Sequence, residues 1–404
     1  MARKKPVRGA IRFLLENSLF LIGGAALALF WANTSIATYQ DFKYIEIFRT
    51  HFVYDHQYAE ATGVHAVTLN WLVNDVLMAL FFAIAGKEVW EATLPGGALS
   101  EPKKAGAPLI ATIGGMAGPA GLYLLGAVLL GQFSDYANGW AIPCATDIAF
   151  SYMVARLVFG AGHPAIPFLL LLAIADDAIG LIILAVFYPQ GELHMLWMLL
   201  PVGGIIVGLL MKRFRVHSFW PYILIAGAAS WLGFAKAGLH PALGLLPIIP
   251  TMPHAHVDSG LFNWAEMGKQ DTLNRFEHWW KNPVELILGM FGLLNAGVVM
   301  SSIGNATYLV LAGLLVGKPL GIWLCGWVAT LMGFKLPDGM NMRDLWVVGC
   351  AAGIGFTVAL FISVVAFKAG PIQDAAKMGA LASFGAAVVT FVFAKLLRVQ
   401  KAGA

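Results

Sequence analysis

Phe168-Leu-Leu-Leu-Leu-Ala-Ile-Ala-Asp176-Asp177-Ala-Ile-Gly-Leu-Ile-Ile-Leu184 sets two adjacent carboxylates deep in an otherwise apolar run. With its flanks the run reaches from 166 to 187, and an α-helix crossing a hydrocarbon layer about 30 Å thick needs roughly 20 such residues. The rest of the chain agrees with a lipid environment. Of 404 residues, 59% are hydrophobic and only 12% charged, with a mean hydropathy of +0.75, which a water-soluble surface does not tolerate.

Further apolar runs, punctuated by Gly, Pro and charge, fall at approximately 12–32, 70–92, 105–130, 139–156, 194–211, 217–235, 240–251, 283–304, 306–330, 344–367 and 373–397. Periodicity and length read them, with 166–187, as an all-α polytopic membrane protein of about twelve spans in a single domain over 1–404. The run at 240–251 is too short to span alone and reads as a tilted or partly buried segment. The polar stretch 33–69, rich in Tyr, is expected to hold a short hairpin at the interface, where a dimer contact is placed.

The formal charge of +4 reads as topology rather than as a nucleic-acid footprint. An even number of spans with a cytoplasmic N-terminus gathers Arg3, Lys4, Lys5, Arg8, Arg12, Lys103, Lys104, Lys212, Arg213 and Arg215 inside. The same placement puts Lys269, Arg275, Lys281, Lys335, Arg343, Lys395, Arg398 and Lys401 there. Lys43, Arg49, Lys368 and Lys377 remain in outer loops. No cleavable leader is expected, so the first apolar run stays as a span. Cys144, Cys325 and Cys350 lie inside apolar runs without metal-ligand spacing, so neither zinc nor disulfides are implied, and no cofactor is expected.

An internal match sharpens the organisation. Trp140-Ala-Ile-Pro-Cys144-Ala-Thr146-Asp147-Ile148-Ala-Phe150 returns as Trp346-Val-Val-Gly-Cys350-Ala-Ala-Gly353-Ile354-Gly355-Phe356, at a constant offset of 206 with five identities in eleven columns. If these lie in the fourth and eleventh spans, they run in opposite directions, as an inverted repeat requires; the units are approximately 105–187 and 306–399. Both segments are interrupted by Pro or Gly. A helix broken inside a membrane bares N–H and C=O groups that lipid cannot satisfy, so breaks persist where they line an ion site or pack in protein.

Ionisable groups inside the spans carry the chemistry, because each costs about 2.5 to 3.5 kcal/mol at mid-membrane on insertion scales. Candidates are Asp75, Glu88, Glu91, Asp147, Asp176, Asp177, Lys236, Glu285 and Lys318. Glu91, Lys236 and Glu285 are read as interfacial groups that reach headgroups. Asp176 and Asp177 together need a cation. Neighbours on a helix point about 100° apart, so one carboxylate can face a water-filled cavity and the other a protein partner. Mutual repulsion and desolvation make proton occupancy of the pair responsive to physiological pH. Oxygen ligands suit a hard cation such as Na+, so proton and Na+ can compete for one site. Lys318, between Gly317 and Pro319, is the natural counter-charge, and a Lys318–Asp176 bridge that breaks on protonation would be a proton-linked switch. A purely structural bridge is the other reading. Asp147, after Thr146 at the break, can neutralise half-helix N-termini that meet there.

Five motifs then coincide in order along nearly the whole chain: Ala145-Thr146-Asp147-Ile148-Ala149-Phe150, Asp176-Asp177, Asn295-Ala296-Gly297-Val298, Gly317-Lys318-Pro319-Leu320-Gly321-Ile322 and Gly353-Ile354-Gly355-Phe356-Thr357. In these the sequence resembles the bacterial NhaA-type sodium/proton antiporters. The resemblance implies twelve helices with two inverted three-helix repeats, and broken helices four and eleven crossing at Gly353 and Gly355. It further implies a multi-pass protein of the bacterial inner membrane with both termini cytoplasmic, electrogenic exchange of more than one H+ per Na+ or Li+, pH and sodium homeostasis, and often a homodimer. Carried over by position, Asp177 is the principal ion ligand and Asp176 its proton-carrying neighbour paired with Lys318, with Asp147 and Thr146 supporting them. Asp75 matches an acidic second-helix position, and Glu88, His240, Glu277 and His278 match positions linked to pH regulation, although a lone His is more often a local hydrogen-bonder.

The chain departs from the family at Lys87 before Glu88, where an apolar residue is usual, and at Cys144, where Ala is common. It also departs at Ala178-Ile179-Gly180 and at Trp279-Trp280-Lys281, read as part of the linker before the ninth span. These departures bear on pH activation more than on exchange. Among other classes, an intramembrane aspartyl protease needs a Gly-x-Gly-Asp motif, which does not occur, and a prenyltransferase needs repeated Asp clusters for Mg2+-diphosphate, whereas no third Asp lies near Asp176 and Asp177. No repeated pore-loop filter marks a channel. A sodium-coupled symporter of an organic anion on a related inverted-repeat fold is the closest alternative, and the buried Lys beside the acid pair favours proton exchange.

Overall fold

The computed structural model describes residues 19–254 and 271–402. The basic N-terminal cluster Arg3–Arg12, the start of the 12–32 run and Lys269 lie outside the described residues, as do the side chains of Lys103 and Lys104. In chain order the elements used below are α1 (Leu19–Thr34), α2 (Ile36–Lys43), β1 (Glu46–Arg49), α3 (His56–Thr62), β2 (Ala66–Thr68), α4 (Leu69–Thr93), α5 (Pro102–Leu129), α6 (Phe133–Tyr136), α7 (Ile148–Phe159), α8 (Ala165–Phe187) and α9 (Leu199–Arg213). They continue as α10 (Ala228–Ala237), α11 (Thr272–Asn295), α12 (Asn305–Leu331), α13 (Met342–Ala352), α14 (Phe356–Ala366), α15 (Pro371–Ala382) and α16 (Gly385–Leu396).

Among the described residues, six helical stretches are long and apolar enough to cross a membrane, and eight if the bent pairs Phe133–Cys144 with α7 and α13 with α14 each count as one. Leu19–Thr34, Tyr222–Ala237 and Pro241–Thr251 are shorter apolar helices. The chain is therefore a helical, multi-pass membrane protein. The last of these segments is a run of 3-10 turns started by Pro241 and Pro247 with Leu243, Ile248 and Ile249 buried, in keeping with a short segment packed in protein.

The chain divides into two compact units. The first comprises Met1–Glu91 and Leu184–Val299, the second Ala92–Ile183 and Met300–Ala404. In the first, α1 lies along α11, and β1 pairs antiparallel with β2 in the register Glu46–Thr68, Phe48–Val67 and Arg49–Ala66. This is the hairpin expected within 33–69. Asp55 closes it, capping α3 at Tyr58 N and accepting the Thr68 hydroxyl at 2.6 Å, while the Arg49 guanidinium and the Tyr58 hydroxyl hold the half-buried Glu46 carboxyl below its ordinary range.

In the second unit α5 and α12 pack along their lengths because glycines face each other. A β-carbon on Gly321 would sit 1.9 Å from the Gly114 carbonyl oxygen, and one on Gly114 would sit 2.1 Å from that of Gly321. Close backbone approach through small residues is the usual way membrane helices associate, since lipid supplies no hydrophobic drive between them. Because α12 also carries Lys318, Gly321→Val is expected to weaken the folded protein by at least about 1–3 kcal/mol, read as a lowered melting temperature of the detergent-purified protein. An unchanged melting temperature would show that this contact is not tight.

Two expected positions change. The run at 283–304 is instead the helix α11, which starts at Thr272 and ends at Asn295 with Pro283 inside it. Asp271 caps it by accepting Asn274 N–H at 2.8 Å, and Leu273 and Phe276 are buried in its first turns. Glu277, His278 and Trp279-Trp280-Lys281 are thus helical rather than part of a linker. Lys377 is not in an outer loop: Pro371, at the N-terminus of α15, starts a helix that buries it.

Candidate functional site at a helix break

The two bent pairs of the second unit break at 145–147 and at 353–355, with bends of 54° and 51°. Pro143 sits in a single 3-10 turn, after which Ala145 is extended and Asp147 N-caps α7, its carboxylate accepting Phe150 N–H at 3.3 Å. On the other pair, Gly355 is the N-cap of α14. A β-carbon on Gly355 would lie 2.8 Å from the Ala145 carbonyl oxygen, so only glycine allows the two breaks to touch.

Each break satisfies the other's exposed backbone. Asp147 N–H donates to Ile354 O at 2.7 Å and the Ser151 hydroxyl to Ala351 O at 2.8 Å, with the Thr146 hydroxyl oxygen 3.3 Å from Ala352 O. In return Thr357 donates its backbone N–H, at 3.3 Å, and its hydroxyl to Asp147 Oδ2. One carboxylate therefore serves the N-termini of both α7 and α14, where backbone dipoles leave partial positive charge. Asp147 thus lies where the two half-helix N-termini meet. The cap positions correspond as Asp147 with Gly355, two residues beyond Gly353, which the offset of 206 sets against Asp147. The five matched residues flank breaks of slightly different register.

Asp176 enters this crossing from α8. Its Oδ2 accepts the Thr146 hydroxyl at 2.7 Å and faces Lys318 Nζ at 3.0 Å, with both side chains fully buried. Lys318 also donates to the Cys144 carbonyl oxygen at 2.5 Å, one of the groups freed by the break. A π-helical turn, Gly313–Gly317, directly precedes Lys318 on α12, and such single turns commonly set a functional side chain off the regular helical register. Asp176 Oδ1 is buried and accepts no hydrogen bond from the described residues. Asp177, the next residue on α8, is half-buried where Asp176 is buried. The second unit thus brings Thr146, Asp147, Asp176, Lys318, Gly353 and Gly355 to one place, with Asp177 beside them.

A sequence model of the family described as Na+/H+ antiporter 1 matches residues 11–394. The chain belongs to this antiporter family. It is 55% identical over 413 residues to the Na(+)/H(+) antiporter NhaA of Jannaschia sp. (strain CCS1), covering 96% of this chain and 98% of that protein. It is 45% identical to the protein of that name from Geobacter sulfurreducens, over 98% of this chain and all of the other, and 46% identical to that of Desulfitobacterium hafniense, over 97% of each.

As a member of the Na+/H+ antiporter 1 family the chain carries a second set of buried polar groups in its first unit. Asp75 lies in a π-helical turn of α4, Leu72–Leu77; its backbone carbonyl accepts Trp231 Nε1–H at 2.8 Å, and its Oδ1 is 3.8 Å from His240 Nδ1. That His nitrogen accepts Ala242 N–H, so in this state it carries no proton and the contact is not an ion pair. Glu277 accepts Lys87 Nζ at 2.6 Å, whereas the adjacent His278 is exposed. Lys87 pairs with Glu91 as well. Glu91, expected at the interface, is therefore buried in an ion triad, while Glu88 is half-buried next to Lys87 in sequence.

Sequence reading missed three contributors. Lys87 stood out as a departure without a role, although its spacing of four to Glu91 is an ion-pair signal on a helix. Thr357 lay inside a quoted motif and gained a role once Asp147 was seen to accept from it. The Cys144 carbonyl could not be found from side-chain identity, because a backbone acceptor carries no sequence signal.

Proposed function

We propose that the chain is an electrogenic antiporter that exchanges cytoplasmic Na+, and Li+, for more than one external H+ by competition at Asp176 and Asp177. The observation that supports this most is the Asp176–Lys318 pair, fully buried at 3.0 Å and sharing its carboxylate with Thr146 at a helix break. A buried pair of this kind gains little net stability relative to an apolar one, and it is retained here beside a second carboxylate. Na+ at Asp177, with Asp176 as co-ligand, supplies the positive charge that Lys318 supplies in the state described. A proton on Asp176, reached through Oδ1, cancels the charge that holds Lys318. Either event releases the bridge, and the two ions exclude one another from the same oxygens. Asp147 keeps the two half-helix N-termini compensated while the neighbouring charge changes.

The names of the relatives support Na+ and H+ as the exchanged ions, and the antiparallel hairpin of the first unit suits a homodimer contact at the membrane interface. Twelve spans with both termini cytoplasmic in a bacterial inner membrane, inverted repeats over about 105–187 and 306–399, and a part in pH and sodium homeostasis complete the reading. Asp75 with His240, and Glu88 with Glu277, are proposed as the groups through which pH adjusts activity; His278, exposed and apart from them, is the weakest member of that set.

In everted membrane vesicles that hold an acid interior reported by a dye, added Na+ or Li+ collapses the gradient, and a potential-sensitive dye records net charge movement in the same sample. Collapse without charge movement would contradict the electrogenic part; no collapse would contradict the function.

A further inference from the structure

Lys377 is 3% exposed in the interior of the second unit, on α15. Its nearest carboxylate, Asp374, is 3.8 Å away and 39% exposed, so it compensates the ammonium weakly. The close partner is the Gln373 side-chain oxygen at 2.8 Å, one turn earlier. Gln373 is itself buried, and its amide nitrogen donates to Phe367 O at 2.7 Å and Val364 O at 3.2 Å. Those carbonyls belong to the C-terminal end of α14, where the last residues of a helix have no intrahelical donor. The other end of α14 is the one that grips Asp147 through Thr357.

The geometry points to Lys377 as a positioning residue for the ion site, acting through Gln373 and the half-helix α14 on Asp147. We propose that α14 is held at both ends by charge: a carboxylate at its N-terminus and, relayed by one buried amide, an ammonium at its C-terminus. Both arrangements match the helix dipole, and the effect of each is larger where water is excluded. An element of eleven residues is about 16 Å long, and as a rigid rod it passes an axial shift at its C-terminus to the Thr357–Asp147 contact. Loss of the Lys377 charge leaves the carbonyl end less well held and lets the crossing relax, so the neighbouring oxygens receive Na+ less well.

This inference rests on the exchange reading above, and the test separates the two. Na+-dependent gradient collapse is measured in everted vesicles against Na+ concentration, with protein amount read from the folded, monodisperse fraction after detergent extraction. Wild-type protein with no response would sink the exchange reading itself. With an active wild type, Lys377→Met is expected to raise the half-saturating Na+ concentration about fivefold, a change of about 1 kcal/mol, and Lys377→Arg to bring it back to within about twofold. Gln373→Met, which keeps the ammonium and removes the relay, is expected to match Lys377→Met, and it decides the matter if Lys377→Met does not fold. Half-saturation unchanged in the folded variants, with losses that only track protein amount, would show Lys377 to be a structural group alone and overturn the proposal.

Discussion

Asp177→Asn is expected to abolish Na+-induced collapse of the pH gradient in everted vesicles while leaving the protein folded and at wild-type abundance. The amide keeps the size and the hydrogen-bonding capacity of the carboxylate and removes its charge. Asp177 is half-buried beside Asp176, whose Oδ2 is already engaged by Lys318 and Thr146. In the proposed exchange, Asp177 is therefore the carboxylate that receives the cation first, before Lys318 leaves Asp176. Loss of the charged ligand from the principal cation position costs far more than the about 1.4 kcal/mol that changes affinity tenfold. Activity should fall below detection at any attainable Na+ concentration. A variant that still collapses the gradient with ordinary half-saturation would remove Asp177 from the ion path.

Lys318→Ala is expected to destabilise the protein strongly and to uncouple exchange. Removing one partner of a buried pair leaves the other charge without compensation, at a cost of about 3–5 kcal/mol. In this variant Asp176 Oδ2 would keep only the Thr146 hydroxyl, and the Cys144 carbonyl would lose its donor. The melting temperature of the purified protein should drop by many degrees. The double variant Asp176→Asn with Lys318→Ala should recover much of that loss, since neither charge then remains buried alone, but should not recover exchange. Equal melting temperatures for Lys318→Ala and wild type would mean that the bridge is not formed in the membrane. Full recovery of exchange by the double variant would mean that neither residue carries the proton.

Hydropathy made most of the helical positions legible, because lipid forces every spanning backbone group into an intrahelical bond and so ties apolar length to helix. The break at Asp147 was legible from Pro143, and the counter-charge of Asp176 from the rarity of a lysine inside an apolar span. Three features were hidden for physical reasons. The start of α11 mixes charged and apolar residues: Glu277, His278 and Lys281 lower its hydropathy although Leu273 and Phe276 are buried. Lys377 and Glu91 looked like surface charges because their compensation comes from residues that a hydropathy window does not weigh, a glutamine amide in one case and a lysine on the same helix in the other. The register of the crossing differed by two residues because sequence similarity followed the flanking Trp, Cys and Phe, whereas the caps follow backbone geometry.

The pairing of Asp176 with Lys318 also bears on how the site is read in this state. Among the described residues, the fully buried Asp176 carboxylate holds an ammonium and a hydroxyl on one oxygen and has no donor at the other. A further cation at this carboxylate, proton or Na+, therefore competes with Lys318.

The claim that Na+ and H+ compete for one pair of carboxylates is tested most directly by calorimetric titration of the purified protein with Na+ at several pH values, in two buffers of different ionisation enthalpy. Competition predicts that Na+ binding weakens steadily as the pH falls and that each Na+ bound releases protons to the buffer. A Na+ affinity independent of pH, with no proton released, would contradict it.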